Sequence, residues 1–84
     1  MGKQEKLIFK ILRGTSDTNI RFEELRELLL TLGFEERIRG SHHTFRKKGI
    51  EEKINIQTDG SKAKPYQVRQ IRSILLRYKI VGED

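Results

Sequence analysis

The sequence predicts a small α+β domain in the order helix, helix, three antiparallel strands, helix, with the helices packed on one face of the sheet. Three observations carry that class. Apolar residues recur at helical spacing in three separate segments, the period drops to two between Phe34 and Ile56, and glycines stand at the boundaries. At 84 residues the chain suffices for one domain, read as residues 1–84, closed around roughly twenty apolar side chains. It is too short for a deep cavity between two domains, so any active site is expected to be shallow.

From Lys3 to Arg13, the residues Leu7, Ile8, Ile11 and Leu12 form one stripe and leave Lys6, Lys10 and Arg13 in solvent. Gly14 is placed to end that helix. The stretch TSDTN is a loop of turn and cap residues. Ile20 and Phe22 lead into a second helix, in which Leu25, Leu28, Leu29 and Leu32 follow i, i+3, i+4, i+7 until Gly33. Phe34 with Ile38, then Phe45, then Ile54 with Ile56 mark three half-buried strands in which apolar and polar positions alternate. Gly40-Ser41 suits a two-residue type II′ hairpin, which needs a positive φ at its first position. A second turn is expected around Gly49, and the third strand, Glu52 to Gln57, runs into a further turn, TDGSK. Pro65 fits a first helical position, and Val68, Ile71, Ile74, Leu75 and Tyr78 predict a last helix reaching about Lys79.

Charge narrows the function. The formal net charge is +6, from 18 basic and 12 acidic residues. From Gly60 to Gly82 there are six Lys and Arg (Lys62, Lys64, Arg69, Arg72, Arg77 and Lys79) and no acid. That distribution favours a polyanionic partner. With no cysteine, neither disulfides nor thiolate metal sites are available. The start MGKQEKLIFKILRG is too charged for a signal peptide, and no window reaches membrane-spanning length. A soluble intracellular protein without a membrane partner is the expectation.

Residues 40 to 46, GSHHTFR, hold both histidines of the chain. With a two-residue turn at Gly40-Ser41, Arg39 faces His42 and Ile38 faces His43. Phe45 should point to the helices, which puts His43 on the inner face and His42, Thr44 and Arg46 on the outer one. The two imidazoles therefore diverge and do not make a shared metal site. His43 has two readings, a hydrogen-bonded strand residue at the mouth of a hairpin, or a proton-transfer group. A histidine of ordinary pKa, about 6.5, can deprotonate a ribose 2′-hydroxyl or protonate a leaving 5′-oxygen. Such chemistry needs phosphates held in place, for which Arg39, Arg46, Lys62 and Lys64 are the candidates, with Ser41 beside them at the turn. Tyr66 could stack on a base or sit at the rim of the core. Glu36 shares the parity of Phe34 and Ile38, at the sheet edge or paired with a nearby basic group.

The run Gly40-Ser41-His42-His43-Thr44-Phe45-Arg46, the later INIQTDGSKAKPYQVRQIRSIL and a preceding helix closed by LGF together resemble the HicA toxins of bacterial toxin–antitoxin pairs. The resemblance covers residues 20–80, leaving residues 1–19 as an N-terminal helical extension. It implies a double-stranded-RNA-binding-domain-like fold and metal-independent cleavage of messenger RNA, with no cofactor. It also implies a cytoplasmic toxin neutralised by a HicB-like antitoxin. The family's catalytic histidine is the second of the pair, here His43, oriented by the Gly40-Ser41 turn, whereas His42 inherits no essential role. The extension departs from the family pattern, either enlarging the core or altering the RNA or antitoxin surface. Two other classes remain open: a module on the same scaffold that holds RNA without cutting it, and a protein whose positive face only docks an acidic partner.

Overall fold

Helical spacing and the glycine stops at Gly14 and Gly33 set the layout in the computed structural model, which describes residues 3–80. Helix α1 (Lys3–Arg13) is followed by a 3₁₀ turn (Asp17–Asn19) and α2 (Phe22–Thr31). Strands β1 (Glu35–Arg39), β2 (His42–Lys47) and β3 (Ile50–Ile56) come next, then a short pair, β4 (Thr58–Asp59) and β5 (Lys62–Ala63), and finally α3 (Pro65–Arg77). The three long strands form one antiparallel sheet ordered β1-β2-β3. Helices cover one of its faces, in the layering of a double-stranded-RNA-binding-domain-like fold.

The hairpin at the centre of the sheet has the predicted register. Arg39 pairs with His42 and Ile38 with His43, so Gly40 and Ser41 alone make the bend. Gly40 has φ 59° and Ser41 is not in the positive-φ region, as a type II′ turn requires. On the other side of β2, His43 pairs with Ile56 and Phe45 with Ile54. Phe45, Ile54 and Ile56 are fully buried against Leu25, Leu28 and Leu29 of α2 and Val68, Ile71 and Leu75 of α3. Helix α1 contributes Leu7, Ile8 and Ile11 to the same core. Arg72 of α3 fastens it, donating to the Ile11 carbonyl at 3.0 Å and to both Asp17 oxygens at 2.9 and 3.1 Å.

Two helices end alike. After α2, Phe34 N–H donates to Leu29 O and Gly33 N–H to Leu30 O, with Gly33 at φ 99°. After α3, Ile80 N–H donates to Leu75 O and Lys79 N–H to Leu76 O, with Lys79 at φ 54°. Both are Schellman closures, which satisfy carbonyls that the last turn leaves open. In the second, a lysine holds the left-handed place that glycine takes in the first.

Three details differ from the sequence expectation. TDGSK is a small antiparallel hairpin, Thr58 opposite Ala63, and not a bare turn; it is tied to the start of α2 by an Arg21–Lys62 bridge. Ile38 is 55 % exposed, because β1 is an edge strand whose end runs past the helices. The acid-free C-terminal run is not a free positive field, since Arg72 is taken up by Asp17 and Arg77 by Glu52. Among the described residues, no helix is long and apolar enough to cross a membrane.

Candidate active site around His43

The alternation that buries Phe45 turns His43, two residues earlier on β2, toward the helices. There its ring packs against that of Phe22, at the start of α2, in a T-shaped arrangement with centroids 4.8 Å apart and planes at 72°. Glu36, on the neighbouring strand β1, has the same inward parity. Its Oε2 lies 2.7 Å from His43 Nδ1. Arg26, one helical turn after Phe22 on α2, donates from Nε to the same Oε2 at 2.7 Å and from its second nitrogen to Oε1 at 2.9 Å. A side-on guanidinium–carboxylate pair of this kind fixes the carboxylate in position as well as neutralising it.

The electrostatics follow from that pair. Hydrogen bonding to Arg26, and then to His43, holds the Glu36 carboxyl below its ordinary range against the opposing effect of burial. Glu36 is therefore an ionised acceptor, and His43 Nδ1 must carry the proton between them. In the neutral ring this leaves the lone pair on Nε2. That nitrogen has no hydrogen-bond partner among the described residues, and no buried side-chain nitrogen or oxygen lacks one. Nε2 therefore reaches solvent. The His43 side chain keeps 18 % of its surface and that of Glu36 only 9 %, so the ring is neither sealed in the core nor loose on the surface. The arrangement can take a proton at Nε2 while the carboxylate behind it stabilises the charge that develops on the ring.

The other residues named from sequence divide between two faces. Ser41 is exposed at the bend next to His42. Lys62 lies on β5, where the Phe22 amide donates to the Ser61 carbonyl, so the hairpin flanks the ring against which His43 rests. Lys64 caps the start of α3, whose Gln67 accepts from the Gln57 amide just beyond the Ile56–His43 pair. Arg39 and Arg46 are on the outer face, with Arg37, Thr44 and Lys53, away from the His43 ring. His42 is also exposed and outward, its ring Nδ1 accepting from the Gln57 side-chain Nε2 at 3.2 Å. Tyr66 is 52 % exposed in the first turn of α3. Among the described residues, no three His, Cys, Asp or Glu side chains gather as a metal site would require.

Sequence reasoning missed Arg26 and Phe22 as parts of this site. Their i, i+4 spacing puts both on one side of α2, and that spacing was the available signal.

Fold and site together define a small basic α+β domain that presents a carboxylate-backed imidazole beside a tight hairpin. The chain belongs to the HicA family: the family model for the HicA toxin of bacterial toxin–antitoxin systems matches residues 22–79. It is thus a member of a toxin family whose systems pair each toxin with an antitoxin. No curated protein and no solved structure matched the chain. Helix α1 lies outside the matched span yet inside the core.

Proposed function

We propose that the chain is an endoribonuclease that cleaves messenger RNA by proton transfer at His43, without a metal, and that a HicB-like antitoxin holds it inactive in the cytoplasm. The observation that carries this reading is the Arg26–Glu36–His43 relay ending in an Nε2 atom open to solvent. Nε2 takes the proton of a ribose 2′-hydroxyl. The freed oxygen forms a bond to the adjacent phosphorus, the bond from phosphorus to the 5′-oxygen breaks, and that oxygen takes a proton from water. The products are a 2′,3′-cyclic phosphate and a 5′-hydroxyl, and the imidazolium returns its proton to solvent. Ser41, Lys62 and Lys64 are the candidates for holding phosphates on the His43 side. Arg39 and Arg46 contact phosphates further along the strand.

The test is incubation of purified protein with RNA in the presence of EDTA, comparing wild type with His43→Ala and identifying the new ends. Cleavage that survives the chelator, leaves cyclic phosphates and falls by about 10³-fold or more in the variant supports the reading. Cleavage by His43→Ala at the wild-type rate, or activity that vanishes with EDTA, overturns it. The fold itself favours one alternative, a module that holds RNA by shape and charge, which would bind RNA in both proteins and cut it in neither.

A further inference from the structure

The sheet face turned away from the helices carries Arg37 and Arg39 from β1, Arg46 from β2 and Lys53 from β3. With Glu35 and Thr44 they line an open groove of about 560 Å³. None of these four cations forms an ion pair among the described residues. The contrast with the helical side is sharp, because Arg26, Arg72 and Arg77 there each hold a carboxylate. Glu35, opposite Arg46 in the ladder, is the one acid lining the groove. Like charges gathered on a sheet repel one another, a cost that the isolated protein bears and that a bound polyanion removes.

The chemistry of the groove says which polyanion. It has no aromatic ring and no large apolar side chain; the exposed Ile38 belongs to the inner parity, opposite His43. It therefore offers nothing on which a base could stack and nothing for the apolar centre of a protein interface. What it offers is periodic charge: side chains at i and i+2 along a strand stand about 6.6 Å apart, in rows about 4.8 Å from their neighbours. A regular chain of phosphates suits such a surface.

We propose that this outer face is a second RNA surface, which grips the sugar–phosphate backbone of the same strand that His43 cleaves. This rests on the proposed function in taking RNA as the ligand of the face and His43 as the group that cuts the bound strand; the binding itself needs only the first. The strand passes from one face to the other around the Gly40-Ser41 bend, where Arg39 on the rim stands opposite His42. Arg37 and Lys53, which the sequence alone did not single out, join Arg39 and Arg46 as backbone contacts.

The experiment uses the full chain carrying His43→Ala, so that binding is measured without cleavage, and an oligouridine of about 20 nucleotides as probe. Affinity is measured between about 50 and 200 mM salt for this protein, for the same protein with Arg37→Gln and Arg46→Gln, and for a third with Lys6→Gln and Arg13→Gln. The last removes equal charge from the exposed face of α1. We expect the sheet variant to lose at least about tenfold in affinity and its log–log salt slope to flatten by about 1.4, two contacts at about 0.7 each. The α1 variant should lose much less. Equal losses in both variants, or none in the sheet variant, overturn the proposal. So does a sheet variant that binds RNA normally but no longer forms a complex with its antitoxin, which would assign the face to a protein partner. Cleavage by the otherwise wild-type chain, assayed separately, tells whether the His43 reading stands. Its failure beside a confirmed loss of binding would remove the nuclease and leave the surface.

Discussion

A single oxygen of Glu36 accepts from both Arg26 and His43, so one substitution separates charge from shape at the site. Glu36→Gln keeps the side chain's size and an acceptor for Nδ1 but removes the negative charge behind the ring. Under the proposed function, its turnover should fall about 10- to 100-fold with little change in KM, as when a partner that orients a histidine is lost. Single-turnover cleavage and end-group analysis would measure it. The same variant has a signature in stability. Because the Glu36 carboxyl is depressed in the folded protein, first by Arg26, its contribution is fully present above the unfolded glutamate value of about 4.3. It is lost as pH falls through the folded value. Denaturant titrations should therefore show wild type more stable than Glu36→Gln at pH 7, with the gap closing below about pH 4.3. A gap independent of pH would contradict the ionised pair. How far this site was legible differs by residue. The inward position of His43 follows from counting two back from Phe45, and the parity of Glu36 could be read the same way. Arg26 could not be assigned, because reaching Glu36 depends on how α2 crosses the sheet.

Regular elements were legible because burial imposes a period on them, and α1, α2, β2 and β3 all follow it. The pair β4–β5 was not, since a two-residue strand has no period and TDGSK carries only turn chemistry. Alternation also says which face a residue joins but not how far the covering layer extends, which is why Ile38 shares the parity of Glu36 yet is largely in water. Helix ends offer a direct measurement at this scale. Gly33 adopts its left-handed conformation without steric cost, whereas Lys79 at φ 54° brings its Cβ against the backbone. Lys79→Gly keeps the Schellman hydrogen bonds and relieves that contact, so it should stabilise the protein by about 0.5–1 kcal/mol, the net of relief and added chain entropy. Chemical denaturation would show a raised midpoint at unchanged m-value; a lowered midpoint would mean that the lysine makes a compensating contact.

Across the whole molecule, the segment outside the family match is part of what keeps the rest folded. Leu7, Ile8 and Ile11 of α1 are buried, each contributing about 1.5–3 kcal/mol, in a protein whose total stability is expected to be about 5–15 kcal/mol. Removing residues 1–14 also takes the Ile11 carbonyl from Arg72. The shortened chain should lose its cooperative thermal transition, as circular dichroism would show; retention of a sharp transition would make α1 an accessory. The charge count was readable from composition, but its distribution was not, because Asp17 and Glu52 reach α3 from distant parts of the chain. Phe45, locked beneath the helices, has a last consequence. With that benzyl group as the fixed point, the interval of one residue, Thr44, decides that the imidazole at 43 faces inward and the one at 42 does not. An insertion after Thr44 would turn His43 outward with every other residue of the motif intact. In comparing copies of such chains, the spacing from histidine to phenylalanine is thus a better guide to which imidazole faces inward, and under the proposed function to activity, than the doubled histidine that first catches the eye.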